Sequence, residues 1–342
     1  MASEAPPFWW TAPDWRAYAL LPLSAVYGAV AARRMVSAAR QKVDLPVLCV
    51  GNLTVGGTGK TPVAIALARQ ALAMKLVPGF LSRGHGGGFS HPHIVDPRGD
   101  SARHVGDEPL LLAEHAPVAV TANRAAGAKI LTERGCDFLI MDDGFQSARI
   151  HIDFALLVVD AMRGIGNGHV IPGGPLRAPV VGQLRFADAI VKMGDGDAAD
   201  GVIRMAARAN RPVFEARARP RNPETVAGRR VLAFSGIGNP QKFYRSLQES
   251  GAELVATRSF PDHHQFMADE LGELAIQADK AGLDLVTTAK DAVRLRHAKG
   301  VPEGFAERLR VLEIDAVFET DPVPERIIAD TLAAWRKRQL DL

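Results

Sequence analysis

Pro46-Val-Leu-Cys-Val-Gly-Asn-Leu-Thr-Val-Gly-Gly-Thr-Gly-Lys-Thr-Pro62 is the stretch from which the rest of the chain can be read. It begins as a short apolar strand, passes through a glycine-rich turn and opens a helix at Lys60-Thr61. That order is the one a phosphate-binding P-loop requires. Glycines let backbone N–H groups close around phosphate oxygens without Cβ clashes. The expected nucleotide-binding set is therefore Thr54, Val55, Gly56, Gly57, Thr58, Gly59, Lys60 and Thr61, with Lys60 reaching the β- and γ-phosphates and Thr61 holding Mg²⁺. In the usual pattern G-x-x-x-x-G-K-[ST] the first glycine falls at Thr54 here, although Gly51, Gly56, Gly57 and Gly59 keep the turn permissive. By itself the motif says that a nucleoside triphosphate binds and leaves the acceptor open.

Outward from the loop, apolar runs alternate with helical patterns. A helix is expected from Val63 to Met74. A strand from Leu76 then ends in Ser82-Arg-Gly-His-Gly-Gly-Gly88, a loop placed to meet ligand at a sheet edge. Val105-Gly-Asp-Glu-Pro109 precedes a helix. Its Asp107 and Glu108 suit either a helix dipole or the roles of base and metal-shell residue. Pro117–Thr121 is a strand with Arg124 just past its end, where a guanidinium suits an anionic group. Asp137-Phe-Leu-Ile-Met-Asp142 is an apolar strand ending in acid, continued by Asp143-Gly-Phe-Gln146. That is a Walker B arrangement, with a carboxylate beside Mg²⁺. Phe154–Asp160 and Ala187–Lys192 add buried strands around a long Gly/Pro-rich loop, 164–177.

Strands of this kind imply a parallel α/β sheet covered on both faces. Residues 211–229 carry Pro212, Pro220 and Pro223 among arginines and read as a linker. A second α/β unit follows. The expected architecture is an N-terminal arm (1–42), a P-loop NTPase-like parallel-sheet domain (43–210), the linker, and a second, smaller α/β domain (230–342). In the latter, Phe260-Pro-Asp-His-His-Gln-Phe266 sets His263 and His264 beside an acid without further ligands for a metal cage, so a histidine moving a proton is the better functional reading. Thr287-Thr-Ala-Lys-Asp291 follows a strand, and its Lys290 and Asp291 suit either a site or a plain helix start.

At 342 residues, 47% hydrophobic and 23% charged, the chain has the composition of a folded globular protein. A net charge of +3 and few aromatics give no support to a nucleic-acid partner. Cys49 and Cys136 have neither disulfide nor zinc spacing and read as reduced core residues. The arm is unlike the rest: Phe8, Trp9, Trp10 and Trp15 precede an apolar run from Ala17 to Ala32, then Arg33, Arg34, Arg40 and Lys42. The run is shorter than a bilayer span and contains Pro22. An interfacial helix on a membrane, with aromatics at headgroup depth and a cationic flank, fits better than a signal peptide; a helix packed on the protein's own surface is the other reading.

These motifs, in this order, resemble the tetraacyldisaccharide 4′-kinase family, the lipid A 4′-kinases of Gram-negative bacteria. The resemblance covers the apolar arm, GNLTVGGTGKTP, SRGHGGG, VGDEP, DDGFQ, GNGHVIPGGPLR, GIGNP, FPDHHQF and TTAKDAVRL. It implies transfer of the ATP γ-phosphate, with Mg²⁺, to the 4′-hydroxyl of a lipid-anchored tetraacyldisaccharide 1-phosphate. The place would be the cytoplasmic face of the inner membrane, with peripheral or monotopic attachment. By the same resemblance Asp107 is the base, and His263, favoured over His264, is its partner. Glu108, Asp142, Asp143, Gln146 and Thr61 are Mg²⁺ or nucleotide-site residues, Lys60 holds phosphate, and Arg83, His85 and Arg124 face substrate. His85 stands where the family loop often has Tyr, and Ala178 where an acid is common. The alternative is a nucleotide switch or an ATPase acting on a soluble partner; the guanine-reading N-K-x-D of a GTPase switch is missing from the sequence.

Overall fold

The computed structural model describes residues 5–84, 89, 91–147, 149–296, 298 and 300–341. Its strands, in chain order, are β1 Val47–Asn52, β2 Pro78–Ser82, β3 His93–Ile94, β4 Val118–Val120, β5 Phe138–Asp142, β6 Phe154–Asp160, β7 Ala189–Met193, β8 Val213–Pro220, β9 Arg230–Ser235, β10 Glu253–Ser259, β11 Asp284–Thr288, β12 Leu309–Leu312 and β13 Ile314–Phe318. Nine of them form one sheet in the order β13-β8-β7-β6-β1-β5-β2-β4-β3, with β1 in the middle. Pairing is parallel from β8 to β4, and the edge strands β13 and β3 run antiparallel.

Period-2 alternation divides the central strands between two cores. Leu48, Val50 and Ile140 enter one, while Val47, Cys49, Leu139 and Met141 enter the other. Both faces are covered, which is why these strands read as unbroken apolar runs. The helices Lys60–Ala73 and Pro322–Leu340 supply Val63, Leu67, Ile327 and Ile328 to the first core, and the helix Arg124–Glu133 supplies Ala128 and Leu131 to the second. Parallel strands bring their carboxyl ends to one edge. The P-loop after β1, Asp142 at the end of β5 and Asp160 at the end of β6 are therefore neighbours by topology.

Two expectations are corrected here. Residues 211–229 are not simply a linker, because Val213–Pro220 is the strand β8, paired to β7 and β13. Its Ala216 faces the core, whereas Arg217 and Arg219 are exposed, so only one face carries an apolar signal. Nor does the second unit run to the C-terminus. Its parallel sheet, β10-β9-β11-β12, closes at β12, with apolar clusters on both faces. The chain then returns to the first sheet through β13 and the helix Pro322–Leu340. That helix is pinned by Arg338, whose Nε and Nη2 donate to Asp153 at 2.8 and 3.1 Å, while Asp153 also accepts from the Val47 N–H at 2.9 Å.

The arm folds as the helices Trp15–Ala19 and Leu21–Ser37. Ala17, Ser24, Gly28 and Met35 are buried against the first unit, and the Gly173 N–H donates to Ser24 Oγ at 3.0 Å. The opposite side leaves Trp15 76%, Leu23 60% and Val26 65% exposed. No helix among the described residues is long and apolar enough to cross a membrane.

Candidate active site

The P-loop sits at the carboxyl end of β1. Gly59, at φ +93°, turns the chain into the helix Lys60–Ala73, and a Cβ there would lie 3.0 Å from Met193 Cγ. Thr54 is not among the residues with positive φ, which explains why a β-branched residue is tolerated at that position. The 164–177 loop laces this region from outside. The Val55 N–H donates to the Pro175 carbonyl at 2.9 Å, and Arg177 Nε donates to the Thr54 carbonyl at 3.2 Å. Lys60 and Thr61 are buried at the floor.

Acidic groups line the neighbouring strand end. Asp143, in the left-handed region at φ 52°, is gripped by Arg177 Nη1 and Nη2 at 2.7 and 2.9 Å and lies 3.9 Å from Lys60 Nζ. Burial disfavours its charge, but Lys60 and Arg177 outweigh that and hold it down at about 2. Asp142 differs. Burial, reinforced by the charge of Glu108, pushes its carboxyl up to about 7, and its Oδ1 is buried with no hydrogen-bond partner among the described residues. Thr58 Oγ1 is likewise buried with no partner among the described residues.

These orphaned oxygens test whether a nucleotide and its magnesium fit. A buried carboxylate oxygen and a buried hydroxyl beside a P-loop, each without a partner among the described residues, are what a polar ligand would satisfy. Among the described residues no three His, Cys, Asp or Glu side chains form a ready metal cage. Magnesium in such sites needs only one or two carboxylates besides substrate phosphates. The residues present fit the group, with Thr61, Asp142 and Glu108 as candidate holders.

The second unit completes the site. Asp107 begins the helix Asp107–Ala113 and is buried. His263 Nδ1 lies 3.1 and 3.2 Å from its two oxygens, and Arg294 Nη2 donates to Oδ2. Burial would raise the Asp107 pKa, yet the His263 hydrogen bond and the charges of Lys290 and Arg294 hold it well below the usual carboxylate range. Its hydrogen bond to Asp107 in turn raises His263, against the pull of burial. His263 also stands in the left-handed region at φ 60°, at a cost of about 1–3 kcal/mol that its surroundings must offset. A cleft of about 200 Å³ opens onto Asp107, His263 and Arg294, walled by Gly106, Arg103 and Gln265. Glu108 pairs with Lys290 Nζ at 2.5 Å, which chiefly accounts for its lowered pKa. Lys242 of the second unit reaches Asp160 at 2.5 Å.

The remaining expected residues are placed as follows. His264 pairs with Glu270 at 2.8 Å and stacks on Phe260, so of the two histidines it is His263 that meets Asp107. Gln146 spends its amide nitrogen on the Asn52 carbonyl at 2.7 Å and on Gln183 at 2.9 Å, which fastens the turn beside the P-loop. Arg124 is buried with Nη1 unpartnered among the described residues, and burial pulls its pKa down to about 10. Arg83 is exposed at the end of β2. His85 lies outside the described residues. Sequence reasoning missed Arg294 and the Asp143–Arg177 clamp. The signal for Arg294 was its i,i+4 spacing from Lys290 just past a strand end.

A glycine-rich cradle after the central strand of a parallel sheet, faced by an acid-ending strand, places the chain among P-loop nucleotide-binding proteins. Comparison with known proteins narrows this. Residues 16–333 match the family described as Tetraacyldisaccharide-1-P 4′-kinase. A Tetraacyldisaccharide 4′-kinase of Mesorhizobium japonicum is 66% identical over 99% of both chains. That of Brucella canis is 56% identical, again over 99% of both chains. The LpxK structure of Aquifex aeolicus in complex with ATP superposes with a TM-score of 0.71 at 26% identity, covering 92% of this chain and 99% of its own. The chain belongs to the tetraacyldisaccharide 4′-kinase family.

Proposed function

We propose that this protein transfers the γ-phosphoryl group of ATP to the 4′-hydroxyl of a tetraacyldisaccharide 1-phosphate, releasing ADP and the 1,4′-bisphosphate, at the cytoplasmic face of the inner membrane. The observation that carries the catalytic part is the meeting of Asp107, from the first unit, with His263, from the second, at a cleft lined by both. Lys60 neutralises phosphate charge from the floor of the loop. Thr61, Asp142 and Glu108 would hold magnesium, which would supply positive charge against the charge developing on the phosphates. Asp107 orients the acceptor hydroxyl and takes its proton as the O4′–P bond forms and the bond to the leaving ADP breaks. His263 stabilises the proton on the pair. Arg124 supplies a cation for a phosphate group. A soluble acceptor is disfavoured by the apolar face of the arm, whose exposed Trp15, Leu23 and Val26 suit a lipid surface.

Asp107→Ala is expected to lower turnover by about 10²–10⁴-fold, the usual scale for losing a general base, while ATP affinity is retained. Near-normal phosphorylation of the disaccharide by that variant would remove Asp107 from the mechanism.

A further inference from the structure

The helix Ala289–Leu295 starts directly after β11 and carries Lys290 and Arg294 four residues apart, hence on one face. It meets the N-terminal turn of the helix Asp107–Ala113, whose first two residues are the adjacent acids Asp107 and Glu108. The two pairs match one to one across the units: Lys290 Nζ donates to Glu108 Oε1 at 2.5 Å and Arg294 Nη2 donates to Asp107 Oδ2. Arg294 is only 4% exposed and is not free to wander. Its Nη1 donates to the Gly236 carbonyl at 2.6 Å and to Asp291 Oδ1 at 2.7 Å. Asp291 is fixed in turn by the Thr288 hydroxyl at 2.6 Å and the Gly236 N–H at 3.1 Å. A guanidinium held at Nη1 by two acceptors turns its Nη2 to Asp107.

We infer that Lys290 and Arg294 are positioning residues for phosphoryl transfer: Arg294 sets the orientation of the Asp107 carboxylate and Lys290 that of Glu108. The inference rests on the reading of Asp107 as the group that takes the acceptor proton. Both cations belong to the second unit and both acids to the first. The acids are thus aligned only with the second unit seated, whereas the P-loop is formed by the first unit alone. Loss of Arg294 therefore acts on turnover and spares ATP binding, whereas loss of Lys290 acts through Glu108. A pair serving only as adhesive between units would lower thermal stability and leave the turnover of the folded protein unchanged.

The test uses the full-length protein with Arg294→Ala, Arg294→Lys, Lys290→Ala and Asp107→Asn, measuring kcat, the KM for ATP and the melting temperature of each. Arg294→Ala is expected to lower kcat about 100-fold with the KM for ATP within about threefold, since the lost interaction matters at the transition state and not in nucleotide binding. Arg294→Lys recovers little, because an ammonium cannot span the three acceptors that a planar fork reaches. Methylguanidinium added to Arg294→Ala restores part of kcat. Lys290→Ala lowers kcat about tenfold by the same logic. If Arg294→Ala fails to fold, Arg294→Lys and Lys290→Ala carry the test. Wild-type kcat in the folded Arg294 and Lys290 variants, with Asp107→Asn inactive, would overturn the positioning role and leave the reading of Asp107 intact. Wild-type turnover by Asp107→Asn would instead overturn that reading.

Discussion

Asp107 and His263 form a pair in which the cations around the carboxylate make it the weaker base. The His263 hydrogen bond, with the charges of Lys290 and Arg294, holds Asp107 ionised, and the same hydrogen bond raises the pKa of the imidazole above its ordinary value of 6.5. A weak carboxylate is adequate where phosphoryl transfer runs through a loose transition state and the hydroxyl proton leaves late. The sign of the pH dependence follows. Below the raised His263 pKa the pair already carries a proton and cannot take another; above it the pair is ready. Turnover is expected to rise with pH through a step lying above 6.5, as a titration of the pair, and His263→Asn should flatten that limb in a kcat–pH profile. An identical limb in the variant would assign the step to another group. At this scale the sequence was legible where chemistry is concentrated in short motifs, as in Gly59-Lys60-Thr61 and Asp142-Asp143. It was less so for His263 against His264, because adjacent residues in a turn face different ways and only the folded backbone, at φ 60° for His263, decides which meets Asp107.

Elements were legible in proportion to how local their signals are. β1, β5 and β6 are buried on both faces and announce themselves as apolar runs. β8 is exposed on one side and arginine-rich, and its place is set by pairing with β13, far along the chain. The return of the C-terminal helix Pro322–Leu340 to the first unit was hidden for the same reason, since a long-range contact leaves no period in the sequence. What holds that helix is the buried Arg338–Asp153 pair together with its apolar face. Arg338→Ala leaves Asp153 as an uncompensated buried charge and is expected to destabilise the protein by about 3–5 kcal/mol, read as a lower midpoint in denaturant. A midpoint equal to wild type would mean that apolar packing alone seats the helix.

Across the whole molecule, a nucleotide-binding unit, a second unit that delivers His263, Lys290 and Arg294, and an arm with one apolar face are combined. The arm is half structural, with Ala17 and Met35 packed inward, so deleting it confuses folding with membrane binding. Replacing the exposed Trp15, Leu23 and Val26 together by Ser avoids this. The variant is expected to keep its melting temperature and to lose at least about tenfold in partitioning to anionic vesicles, given the apolar area removed. Unchanged partitioning would place the membrane contact on another surface. The most direct test of the proposed reaction is incubation of the protein with γ-labelled ATP, magnesium and the tetraacyldisaccharide 1-phosphate, with the product mapped by position. The expected product carries label in the phosphate on the 4′-oxygen of a 1,4′-bisphosphate; label released only as inorganic phosphate, with the disaccharide unchanged, would contradict the proposed transfer.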